Sequence, residues 1–155
     1  MRNREKGFSL IELLIVVAII LIIAAIAIPN LLRSKIAANQ ASAVGSLRTL
    51  NTACIAYSTS YGQFPGALAS LGPMASGGTA SSTSADLVDS VLAGGTKSGY
   101  VFAFTAGTSN QSYSITATPI TAATTGQNMY YTDQSGVIRV DTSGTGATVT
   151  STPIG

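Results

Sequence analysis

Lys6-Gly7-Phe8-Ser9-Leu10-Ile11-Glu12, followed by an apolar run to Ile28, decides how this chain is read. From Leu13 to Ile28 there is no polar side chain: twelve residues are Leu, Ile or Val and four are Ala. Phe8 to Ile28 is 21 residues, or about 32 Å of helix at 1.5 Å per residue. That matches a bilayer core of roughly 30 Å.

Glu12 breaks the apolar pattern, four places after Phe8. A charged group at the centre of a membrane helix costs roughly 2.5–3.5 kcal/mol, and less near an end. The twelve large aliphatics contribute about −0.3 to −0.6 kcal/mol each, or about −4 to −7 kcal/mol together. The helix should therefore insert despite the acid. A carboxylate kept at such a place is a functional hypothesis and needs a partner.

Arg2 to Glu12 resembles the prepilin signal of type IV pilins and type II secretion pseudopilins. The elements that carry the resemblance are a basic leader, Gly7-Phe8, Ser9-Leu10-Ile11-Glu12, the long apolar run and then Pro29. It is close over about the first 60 residues and an outline beyond. The resemblance implies that a prepilin peptidase cuts between Gly7 and Phe8 and methylates the new amino terminus at Phe8. It implies that Glu12 attracts the free amino terminus of a neighbouring subunit during assembly. It implies, as partners, identical or related pilin subunits and an inner-membrane assembly platform.

An ordinary secretory signal cut after Ala27 is the rival reading. Three features oppose it. The apolar stretch exceeds the usual 7–15 residues, Glu12 would be a needless cost in a discarded peptide, and the sequence from Ile28 onward continues as helix. A plain single-span anchor is the other bland alternative.

At 155 residues the chain has room for one domain beside the hydrophobic segment. The leader, residues 1–7, holds Arg2, Arg4 and Lys6 against Glu5; the remainder holds five basic and five acidic residues. The formal +2 charge thus belongs to the leader, and a basic surface for nucleic acid is not supported. Only 9% of residues are charged, which suits either a hydroxyl-rich exported domain or one whose faces pack on copies of itself. The one cysteine, Cys54, excludes an intramolecular disulfide, and packing must stabilise the fold. Many pilins close a C-terminal loop with a disulfide, so this chain departs from that pattern.

Positive residues beside a span stay cytoplasmic, which puts the C-terminus outside. Residues 8–30 read as the transmembrane and assembly half of a helix running from Phe8 to about Tyr61. Proline removes a backbone donor and clashes with the preceding turn, so a kink or local unwinding is expected near residues 25–29, at Pro29. Residues 31–155 read as the globular part, with an amphipathic helix over 31–61. Ile36, Ala43, Leu47, Leu50, Cys54, Tyr57 and Tyr61 form one helical face. Arg33, Lys35, Gln40, Arg48 and Asn51 lie largely off it. Cys54 reads as a small core residue.

Gly62 and Pro65 stop the helix. A connecting loop over 62–98 is expected to hold a helical turn at Ala67–Leu71 and a short helix at Ala85–Ala93, opened by Thr83-Ser84-Ala85-Asp86. Tyr100–Thr105 and Ser112–Thr118 alternate as a hairpin, and Asn128–Thr132 and Val137–Asp141 as a second one. Asp133-Gln134-Ser135-Gly136 fits a type I turn. The sheet is expected over 99–141, with 142–155 an irregular or frayed tail.

Parts for an enzyme are few. There is no His, the commonest general base and metal ligand. Asp86 and Asp89 suit a solvated helix face, and Asp133 a turn rather than a calcium site. Asn110-Gln111-Ser112 is a glycosylation sequon in form only. No catalytic residue, metal or cofactor is assigned. The aromatics Tyr57, Tyr61 and Phe64 read as packing.

The expected fold is α+β and pilin-like: a long kinked N-terminal helix packed on a small antiparallel sheet. The expected function is a structural subunit of a type IV pilus for adhesion or motility, not an enzyme. It rests as a single-pass protein in the bacterial inner membrane, in contact with lipid, and then passes into an extracellular or periplasmic filament. A secretion pseudopilin is the alternative; a DNA-uptake pilus is the least supported, because phosphate attraction needs clustered Lys and Arg.

Overall fold

The computed structural model describes residues 8–154, so the leader assigned to residues 1–7 lies outside the described residues. The chain divides into two compact units, Met1–Ser34 and Lys35–Gly155.

Helix α1 is Leu10–Tyr61. Within the first unit its residues are exposed, with Ala24 alone half-buried among Phe8–Ser34. α1 is the one helix among the described residues long and apolar enough to cross a membrane, with a mean hydropathy of 3.3 over its most apolar window. Residues 25–29 are helical and Pro29 lies inside the helix. The helix is thus continuous through Pro29, without the local unwinding that was one of the two expected forms.

In the second unit the later part of α1 lies on a six-stranded antiparallel sheet, which makes the fold α+β and pilin-like. The strands are β1 (Thr96–Lys97), β2 (Tyr100–Ala106), β3 (Tyr113–Pro119), β4 (Met129–Asp133), β5 (Arg139–Asp141) and β6 (Thr152–Pro153). They neighbour one another in sequence order, so every pairing is a local antiparallel one. The two expected hairpins are there, each shifted by a residue or two. The sheet reaches past 99–141 at both ends. β6 pairs with β5, Arg139 opposite Pro153 and Val140 opposite Thr152, so part of the expected tail is a paired edge.

Alternation decides which face of the sheet meets the helix. Phe102, Ala117 and Tyr130 are cross-strand neighbours in one inward row; Phe104, Ile115 and Thr132 form the next. Against them α1 buries Ala43, Leu47, Leu50, Cys54 and Tyr57. Leu47, Leu50 and Ile115 are each fully buried, contributing about 1.5–3 kcal/mol apiece. Ile36 and Tyr61, the ends of the expected stripe, are half-buried.

Asn51 departs from the expected pattern. It is buried, not solvated. Its Nδ2 donates to Thr132 Oγ1 at 2.8 Å, and its Oδ1 accepts from the Tyr113 hydroxyl at 3.1 Å. A polar side chain can occupy the helix–sheet interface when its donors and acceptors are met there.

Gly62 takes a left-handed backbone, φ 74°, and its N–H reaches Ser58 O at 2.8 Å, closing α1. A 3-10 turn follows at Leu68–Leu71. The expected helix Ala85–Ala93 is much shorter: α2 is Ser90–Ala93. Residues 85–87 give their N–H groups instead to the carbonyls of Ser70, Gly72 and Leu71, and Asp86 has φ 56°. The cap is Asp89, whose Oδ1 accepts from Leu92 N–H at 2.8 Å, and not a residue of 83–84. Asp86 therefore lies off the helix it was expected to share with Asp89. The Asp133–Gly136 turn forms as expected, with Gly136 N–H on Asp133 O at 2.9 Å.

Candidate assembly helix and its polar cap

The candidate site is the start of α1. Ser9 precedes the first helical residue, Leu10, and Leu13 N–H reaches back to Ser9 O at 3.2 Å. The Glu12 carboxylate folds back along the same turn, and its Oε2 accepts from Ser9 N–H at 2.9 Å. Ser9-Leu10-Ile11-Glu12 thus forms the reciprocal half of a capping box: the third helical residue satisfies the cap residue's own N–H. A first turn has N–H groups with no partner inside the helix, and its positive end favours an acid. Both effects put a glutamate here at ease in an otherwise apolar segment.

Of the residues singled out in the sequence, Gly7 lies outside the described ones. Phe8 precedes the helix and is 89% exposed. Glu12 stands one turn further on, bonded through Ser9, and Pro29 lies well along the same helix. The in-chain partner of Glu12 was not foreseen, although the Ser-x-x-Glu spacing before an apolar run announces it.

Away from the helix start, Asp89, Asp133 and Asp141 are occupied, while Asp86 accepts no hydrogen bond among the described residues. Asp133 Oδ1 accepts from Ser135 N–H at 2.9 Å, a turn role. Asp141 accepts from the Ser143 hydroxyl at 2.6 Å and from the N–H groups of Ser143 at 2.8 Å, Gly146 at 2.8 Å and Thr145 at 3.0 Å. These donors, the Ser143 hydroxyl first, hold its carboxyl down at about 2. Among the described residues no group of three or more His, Cys, Asp or Glu side chains is placed to hold a metal ion. Cys54 is sealed in the core, and burial pushes its thiol up to about 12.

Comparison with known proteins bears on the same stretch. Residues 2–28 match the prokaryotic N-terminal methylation motif. The chain is 54% identical over 50 residues to the type IV major pilin protein PilA of Myxococcus xanthus, covering 32% of this chain and 23% of that protein. It is 67% identical over 39 residues to the type IV wide pilus major component PilA4 of Thermus thermophilus, 25% of this chain and 29% of that one. It is 33% identical over 64 residues to the type II secretion system core protein G of Aeromonas hydrophila, 41% of this chain and 45% of that one. The match takes up less than half of each of these relatives. No solved structure matches the chain. The chain is thus related at its N-terminal end to type IV pilins and to a type II secretion system core protein.

Proposed function

We propose that the chain is a structural subunit of a type IV pilus, not an enzyme, and that it polymerises through its N-terminal apolar helix. The observation that carries this reading is the helix itself. From Leu10 to Leu32 its large aliphatic side chains are exposed, which water does not tolerate at this extent. Lipid before assembly and like helices after it would both cover such a surface. Ala18, Ala24, Ala25 and Ala27 let like helices approach closely.

In this reading a peptidase cuts between Gly7 and Phe8, and Phe8 is methylated. The inner membrane holds the uncleaved and newly cleaved chain with its C-terminus outside, and an assembly platform extracts it. Glu12, already at the helix start, meets the amino terminus of a neighbour and sets the register, since an unpaired carboxylate in apolar surroundings is costly. Pro29 is where the helix bends on entering the filament. The relation to the secretion core protein supports a second reading, a pseudopilin forming a short periplasmic filament.

Mass analysis of the mature amino terminus tests the processing: a chain beginning with methylated Phe8 is expected, and one beginning at Ile28 overturns it. Electron microscopy of sheared surface fractions separates the two filaments. Long fibres bearing this chain support the pilus, and their absence alongside a secretion defect in the deletion strain supports the pseudopilin.

A further inference from the structure

The geometry points to a specific contact between successive copies of this chain: the Asp86–Leu87 corner of one copy seats in the groove beside Arg48 of the next. The inference rests on the filament-subunit reading and adds the surface that joins the globular units.

The groove lies wholly in the second unit, between α1 and the last strands of the sheet. Its volume is about 510 Å³, and Ala37, Ala41, Val44, Tyr130 and Ile154 give it an apolar floor, with Arg48 at one end. Arg48 is exposed and makes no ion pair or side-chain hydrogen bond among the described residues; the ion pair there is Lys97 with Asp89, at 3.1 Å. The groove therefore asks for an apolar side chain beside an acid.

Charge complementarity names the occupant. Asp89 is taken by Leu92 and Lys97, Asp133 by Ser135, and Asp141 by its own loop. Glu12 is taken by Ser9. Asp86 alone among the carboxylates of the described residues accepts no hydrogen bond. It is exposed, at a left-handed corner anchored by four backbone bonds from residues 85–88 to residues 70–72. Next to it in sequence is Leu87, 38% exposed, and α2 beyond carries Val91, 56% exposed. The acid and the apolar side chains the groove lacks are thus presented together on a rigid corner.

Position makes the contact propagate. Leu87 faces α1 across a second groove, lined by Thr49, Thr52, Ala53 and Ala56 and sharing Arg48 with the first. At 100° per residue that stripe lies on the other flank of the exposed ridge from Ala37, Ala41 and Val44. Corner and groove are different patches on neighbouring flanks of α1, with Arg48 between them. Such a heterologous contact leaves a free corner and a free groove after each addition, and so builds a chain of subunits rather than a closed pair.

Full-length Arg48→Asp, Asp86→Arg and the double charge swap are expressed in the native host, and sheared filament yield is measured. Both sites are exposed, and a thermal melt of each detergent-solubilised chain confirms that it folds. Each single change is expected to lower yield roughly tenfold, since like charges then face each other, and the double swap to restore it. If the wild type forms filaments but the singles match it, or the double swap fails to recover, the contact is wrong and the filament reading stands. If the wild type forms none, the filament reading falls and takes the contact with it.

Discussion

Three side chains at the helix–sheet boundary hold more than their size suggests. Asn51 bonds both Thr132 and Tyr113 across 81 and 62 residues of sequence, and burial pushes the Tyr113 phenol up. Thr132→Val removes the acceptor of the Asn51 amide and leaves only Gly136 O, at 3.4 Å. A stability loss of about 1–3 kcal/mol follows from stranding a buried donor, and Tyr113→Phe should cost about 1 kcal/mol. Denaturant unfolding of the detergent-solubilised chain measures both, and an unchanged midpoint for Thr132→Val would refute the network. Asp141 offers a second test. Its folded carboxyl titrates near 2, below the ordinary value of about 3.9. The unfolded chain therefore binds the proton more readily. The contribution of the Asp141 loop to stability is complete above about pH 4, fades as pH falls, and is gone below about 2. An NMR titration of the Asp141 carboxyl should find its midpoint near the lower value; a midpoint near 3.9 would mean the loop does not close on it.

At the scale of elements, the helix start carries the sharpest expectation. Glu12→Leu should still insert, because the aliphatic run outweighs the acid and the change removes a cost. The variant should be cleaved normally yet yield few filaments; immunoblots of cell and sheared fractions read both, and normal filament yield would remove the assembly role of Glu12. Capping of α2 is a smaller matter: Asp89→Ala loses the Leu92 bond and the Lys97 ion pair, and a slightly lower denaturation midpoint is expected. These elements were unequally legible in the sequence. Strands β2 and β3 could be read because inward Tyr100, Phe102, Phe104, Tyr113 and Ile115 alternate with outward Val101, Ala103, Thr105, Ser114 and Thr116. The span of α2 could not, because Asp86, Leu87 and Val88 have helix-like spacing while their N–H groups are claimed by a loop 14 to 17 positions earlier. Local pattern is silent about such distant bonding. Asn51 was misplaced for a similar reason: its partners lie on strands, so its polarity alone pointed to solvent.

For the whole molecule, the division into units follows from where the apolar contacts fall. Every residue of the continuous core lies between Ala43 and Ile138, with Ile154 packed against it from the chain's far end. None comes from residues 8–34. A fragment spanning 35–155 is therefore expected to be soluble and to melt in one cooperative transition, whereas the full chain needs detergent. Calorimetry of the fragment checks this, and a broad transition without a heat peak would show that the N-terminal helix is needed for folding. In the sequence, an apolar run without polar breaks cannot share the amphipathic pattern that follows it, and this contrast is what suggests two parts. The edge made by β6 was not: Thr152-Pro153 has no alternation to betray a strand, and its pairing depends on Ile154 N–H finding Ile138 O at 2.8 Å.

Cys54 has a practical consequence. Its sulfur is walled in by the sheet and stays protonated through neutral pH, so maleimides and spin labels in the medium find no native target. A cysteine placed anywhere on the outside would be the sole reactive handle. Distances between labelled neighbours could then be mapped along an intact fibre without first engineering a thiol-free background.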